Sequence, residues 1–252
     1  DTINLKTVVI TILSVASTVL CHYLDITMNV RTDLIGVAVI FPIGIGINGA
    51  FKRRDDALKS LAWIKGNAFA IRMAYSHWVA DRPSRRQLAA HVEETLTNFF
   101  DHIKAYLTSR TLDPDLLAPV MSDLAALSRA GEVMRREGVP PPEVSRVNEY
   151  IRVICVQFQE LKNVRIYRTP IAIRGYSKFF ILIFPIIFGP SFNYLSNEAG
   201  AIWHGIMLAV VYSVILTGLD NVQEALENPF DGVGKDDIQF YEPSYVLHAS
   251  LD

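Results

Sequence analysis

Apolar residues in this chain gather into four long runs instead of spreading evenly at helical period. The runs cover about residues 8–24, 34–51, 179–194 and 201–219. Each is close to the roughly 20 apolar residues that a helix needs to span a bilayer core. Between the second and third runs, residues 52–178 mix charges with apolar positions three and four apart, which marks amphipathic helices in water. The pattern predicts an all-α, multi-pass membrane protein. It has four transmembrane helices per subunit, a helical bundle over 52–178 and an acidic terminal segment over 220–252.

Finer patterning sharpens these elements. Around the first run, Thr7, Thr11, Ser14, Ser17 and Thr18 suit a helix packed on other helices, with hydroxyls bonding back to the i−4 carbonyl. The second run, LIGVAVIFPIGIGINGAF, holds Pro42 and the glycines 36, 44, 46 and 49. These weaken a helix in water but allow close approach between membrane helices. In the charged region, helices are expected over 59–78, over 84–107 with Ser84 as N-cap, over 115–137 and over 143–167. Gly138 and the prolines 140–142 separate the last two. The final helix carries Val147, Ile151, Ile154, Phe158 and Leu161 along one stripe, as a core or a subunit interface requires. Pro185 and Pro190 interrupt the third run, and a polar turn over 196–200 folds it against the fourth as a hairpin.

Composition then removes several function classes. Of 252 residues, 20% are charged and the formal net charge is −2, so no electrostatic case exists for a nucleic-acid partner. Cys21 and Cys155 lie in apolar helical stretches without metal-ligand spacing and read as small buried hydrophobes. No Gly-rich phosphate loop, HExxH or GxSxG occurs, and no catalytic residue is assigned. His91 and His102 share a helix face and read as a solvated pair. Trp63 and Trp78 suit a core or interface, and Trp203 an outer interfacial belt. Lys6, the Lys52–Arg54 cluster and the basic residues 165–178 flank membrane ends on one side, while the links 25–33 and 196–200 hold only Arg31. The positive-inside rule therefore puts both termini and residues 52–178 in the cytoplasm. The first run is too long for a signal-peptide core and reads as a retained segment. The opening residue Asp1 suggests a processed chain or one domain of a longer protein.

Two stretches carry more. After the fourth run comes LDNVQEALENPFDGVGKDD, an acidic helix closing on Asn228-Pro229-Phe230 with acid on both sides. Here the chain resembles the bestrophin family, through Leu219, Asp220, Glu224, Leu226, Glu227, Asn228, Pro229, Phe230 and Asp231. A weaker match is Thr169-Pro170-Ile171-Ala172 before the third run. The end of the second run, Ala50-Phe51-Lys52-Arg53, aligns with the end of the family's pore helix, although Arg54 and Asp55 stand where a tryptophan pair is usual. The resemblance implies one bestrophin-like domain over 1–252 and a homopentameric anion channel in the lipid bilayer, passing chloride or other small anions. It places Val37, Phe41 and Ile45 at a hydrophobic pore neck. Their i, i+4, i+8 spacing puts them on one helix face in any case. A register one residue earlier would place Gly36, Ile40 and Gly44 there. Calcium-binding members use carboxylates after the N-P-F motif, where this chain offers Asp231, Asp236 and Asp237 either as ligands or as a solvated acidic turn. The alternatives are a membrane-embedded assembly module, for example of a rhodopsin-fused protein, and a secondary transporter. The transporter ranks last, because none of the four runs has an acidic residue in its middle.

Overall fold

The computed structural model describes residues 4–29, 32–79, 83–109, 111, 113–167, 171–232, 237, 238 and 240; for 32–39, 83–84, 171–174 and 177 the description stops at the backbone. Among the described residues the regular structure is helix alone: α1 (Leu5–Tyr23), α2 (Thr32–His77), α3 (Pro83–Thr108), α4 (Pro114–Arg136), α5 (Pro141–Ile166), α6 (Ile171–Ile187), α7 (Gly189–Glu198) and α8 (Ile202–Glu227). They form two compact units. The first takes residues 1–52 and 168–228, the second 53–167 and 229–252.

In the first unit, α1 and α8 are long and apolar enough to cross a membrane. The α6–α7 pair, bent by 41°, makes a third such element if it is counted as one broken span. Helix α6 continues through Pro185, and the break falls at Phe188, just ahead of Pro190 in the first turn of α7. Breaking there strands the carbonyls that end α6, since Pro190 has no N–H to offer Ile186. Helix α1 supplies the missing donors: Ser14 Oγ donates to the Pro185 carbonyl at 2.6 Å and Ser17 Oγ to that of Ile186 at 2.7 Å. The helices meet so closely that a Cβ on Gly189 would lie 2.3 Å from Ser17 Oγ and 3.0 Å from its backbone carbon. Thr11 and Thr18 do bond back to their own i−4 carbonyls, at 2.8 and 2.9 Å. The hydroxyls of the first run thus divide between two tasks.

The open end of α1 is tied to α8. Asn4 caps α1 by accepting from Thr7 N at 3.0 Å, and its own amide donates to Asn221 at 3.0 Å. Asn221 in turn donates to Thr7 Oγ1 at 3.3 Å. Beside them Lys6 pairs with the buried carboxylate of Asp220.

The second unit is built as helices in water are. Its core holds Leu61, Ile64 and Ile71 of α2, Leu96 and Phe99 of α3, Leu127 of α4, and the whole Val147, Ile151, Ile154, Phe158, Leu161 stripe of α5. Asp113 caps α4 by accepting from Asp115 N at 2.9 Å, Pro114 opens the helix, and Gly138 turns the chain at φ +85° after it. His102 of α3 pairs with Asp123 of α4 at 2.6 Å, so it is not a partner of His91.

Two features differ from the pattern read along the chain. The basic cluster 52–54 ends the apolar run but not the helix, because α2 runs unbroken from Thr32 to His77 with Pro42 inside it. Charges mark a change of surroundings, and nothing in that cluster denies the next turn its hydrogen bonds. Arg165, read as a flanking charge, is buried. It donates to the carbonyls of Tyr106, Ser109 and Thr111 and to Ser109 Oγ, and stacks over the Tyr106 ring, which closes the loop after α3.

Candidate functional site

The first part of α2 is two-faced. Ile43 is fully buried against Ile181 of α6 and Leu216 of α8, and Gly46 and Ala50 follow on the same side. Phe41 and Ile45 point the other way, 68% and 50% exposed. Ile40 and Gly44 are exposed beside them, so the outward face is broad enough to hold both registers considered from the sequence. Val37 belongs to α2, but its side chain lies outside the described residues. A large aromatic held outward by a helix whose back is packed is a feature that asks for a neighbour or a pore.

Behind this face a glycine meets a glutamine. A Cβ on Gly46 would stand 2.6 Å from Nε2 of Gln223 on α8, so a larger residue there would require the Gln223 side chain to move. Gln223 is 4% exposed, and among the described residues its Oε1 has no hydrogen-bond partner. Sequence reasoning missed this residue; the only signal was the cluster of glycines asking for something to approach. An aromatic ladder stiffens the same unit, with Phe180, Phe184, Phe188 and Tyr212 at ring separations of 4.7, 5.4 and 5.7 Å in that order.

The N-P-F motif is a stop and an anchor. Helix α8 ends at Glu227, Asn228 leaves helical geometry with φ −122° and ψ 98°, and Pro229 cannot continue the helix. Phe230 is 2% exposed in the core of the second unit, with the Phe240 ring 6.2 Å away. The chain then returns, as Ile238 N donates to the Pro229 carbonyl at 2.9 Å. Asp231 and Asp237 lie in this return, and each is engaged by a neighbouring group. Asp236 lies outside the described residues, as do Thr169 and Pro170. Among the described residues no three His, Cys, Asp or Glu side chains gather as a metal site.

With this geometry in hand, the chain was compared with known proteins. No protein-family model and no curated protein matches the sequence. Solved structures do match. A bacterial bestrophin homologue from Klebsiella pneumoniae superposes with TM-score 0.78 at 15% identity, covering 93% of this chain and 91% of that one. A point variant of the Klebsiella homologue gives 0.79 at 14% identity over 93% and 92%. A crystal structure of a membrane-protein variant gives 0.79 at 14% over 93% and 91%. The fold is bestrophin-like. The bestrophin-like architecture thus covers almost the whole chain at only 14–15% identity. What the sequence kept visible was the N-P-F stop, the glycine-rich α2 and the layout of apolar runs.

Proposed function

We propose that this chain is one subunit of a homopentameric anion channel, with the α2 helices arranged around a shared axial pore. The observation that supports it best is the outward face of α2. Phe41 and Ile45 are large, apolar and exposed, on a helix pinned from behind at Ile43 and Gly46. In this reading Val37, Phe41 and Ile45 from each copy form a narrow apolar neck that gates by size and wetting. Weakly hydrated anions such as chloride pass partly dehydrated, drawn by the positive ends of helices. Passive flow needs no chemistry, and no residue is assigned a catalytic role.

Other surfaces fit the same reading. Val8, Val9, Ile12 and Leu13 on α1 and Met207, Val211 and Ile215 on α8 are exposed apolar side chains suited to lipid, and Trp203, 74% exposed, suits the interfacial belt. In the second unit, Leu58, Trp63, Phe69 and Met73 of α2 are exposed large apolar residues, as a subunit contact requires. In this proposal the chain crosses the bilayer four times, with both termini and residues 52–178 on the cytoplasmic side.

The deciding experiment is Phe41→Ala, with particle symmetry checked by single-particle imaging and anion flux measured after reconstitution. Five-fold particles with raised conductance or relaxed selectivity are expected. Five-fold particles with unchanged flux would sink the neck assignment, and two-fold or monomeric particles would sink the shared pore.

A further inference from the structure

The second unit contains a groove that the channel reading does not use. It lies between α4 and α5, has a volume of about 500 Å³, and is lined by Ser128, Arg129, Gly131, Glu132 and Arg135 on one side and Val144 and Asn148 on the other. Three observations mark it as more than a surface dent. Behind Gly131 is an unsatisfied donor: Tyr75 of α2 is wholly buried, its hydroxyl lies 3.8 Å from where a Gly131 Cβ would stand, and among the described residues that hydroxyl has no hydrogen-bond partner. Buried polar groups are nearly always paired, so an orphan phenol calls for a reason. Burial raises the phenol's pKa well above its ordinary value, which keeps the proton on the oxygen and the hydroxyl a donor.

The second observation is the glycine. Gly131 is buried within helix α4, where glycine is a weak helix former. Packing does not demand it: a Cβ there would meet Asn148 Oδ1 at 3.4 Å and the Tyr75 hydroxyl at 3.8 Å, both ordinary contacts. A methyl there would stand directly against those two polar atoms, between them and the groove. The third is charge. Arg135 is paired with Glu132 at 2.6 Å, so Arg129 leaves the groove with a net positive rim.

We infer that this groove binds a small multi-oxygen anion, a carboxylate or a phosphate, with its charge on Arg129 and one acceptor oxygen reaching the Tyr75 hydroxyl through the space left by Gly131. Ser128 and the Asn148 amide supply further donors along the walls. Such a site answers the orphan hydroxyl, the costly glycine and the basic rim together. Closeness of Phe41 or Ile45 plays no part in it.

The test uses the full detergent-purified chain, following its thermal midpoint while succinate or inorganic phosphate is titrated, with chloride at matched ionic strength as control. A saturable upward shift from either probe beyond the chloride control is expected, and which probe acts tells carboxylate from phosphate. Arg129→Gln weakens the apparent affinity by about tenfold or more, as loss of a charge-assisted contact should. Gly131→Ala, which fits sterically, keeps the fold and loses the shift. Tyr75→Phe raises the unliganded midpoint, because it removes a buried unpaired hydroxyl, yet weakens binding. No saturable shift with either probe, or equal shifts in wild type, Arg129→Gln and Gly131→Ala, would overturn the site.

Discussion

The two units of this chain bury opposite things. Among the described residues, eleven of the fourteen buried polar or charged side chains lie in the first unit, from Thr7 and Ser14 to Asp220 and Gln223. Its outer surface carries Leu5, Ile12, Leu20, Met207 and Ile215. Among the described residues the second unit buries only Ser60, Thr95 and Arg165 of that kind, and sets pairs such as Glu132–Arg135 and Glu149–Arg152 on the outside. The same twenty amino acids thus face two solvents. Where lipid surrounds the helices, expelling an apolar side chain gains nothing, and association rests on close packing and hydroxyl-to-carbonyl bonds. Where water surrounds them, burial of Phe158 or Leu127 is the driving term.

This contrast yields substitutions whose effects should fall in a definite order. Phe158→Ala opens a hole in the water-facing core and should destabilise the second unit by about 3–5 kcal/mol, read from denaturant melts in detergent. A loss below that of a surface substitution would mean the core is not what holds this unit. Gly189→Ala forces a methyl onto the backbone of Ser17 and should cost about 1–3 kcal/mol, seen as a lowered midpoint with the second unit's melt unchanged. Ser17→Ala strands the Ile186 carbonyl and should cost about 1 kcal/mol or less, the usual scale for interhelical hydrogen bonds in membranes. If Ser17→Ala proved harsher than Phe158→Ala, the proposed division of forces would be reversed.

The smallest effect belongs to the surface pairs. Arg152 hydrogen-bonds Glu149 and holds its carboxyl below the usual carboxylate range. Because the folded value is depressed, any stabilisation is present above the unfolded carboxylate pKa and is lost as pH falls through the lower folded one. Both groups are fully exposed, so Glu149→Gln should leave the midpoint at neutral pH unmoved, and added salt should not change that result.

Legibility in the sequence followed the same divide. In water, apolar positions at period 3.6 and the breakers Gly138 and Pro140–Pro142 were enough to place α3, α4 and α5 and the α5 core stripe, although the Asp113 cap was found only in the structure. In the membrane unit, apolar runs located the helices but said little about their interiors. Of the two prolines read as interruptions, the break falls just ahead of Pro190 and leaves Pro185 inside α6, with the freed carbonyls met by donors that α1 provides across space. The continuity of α2 past Lys52 was hidden because a charge cluster signals a boundary of environment, which in this helix is not a boundary of structure. Gln223, which meets Gly46, and Arg165, which closes the loop after α3, act only through tertiary contacts that no local pattern announces.

The hydroxyls of α1 also impose an order of events in time. Ser17 is synthesised 169 residues before the Ile186 carbonyl it will serve, an interval of roughly ten to thirty seconds at ordinary rates of translation. In the proposed four-span arrangement, α1 rests in the bilayer through that interval without its later partner. A serine can do so because its hydroxyl turns back onto the carbonyl one helical turn earlier, as Thr11 and Thr18 do permanently. When α6 arrives, Ser14 and Ser17 exchange a temporary bond within their own helix for a lasting one across the interface. An asparagine or lysine at these positions would have no such resting state, and the ribosome would be inserting a segment the lipid rejects.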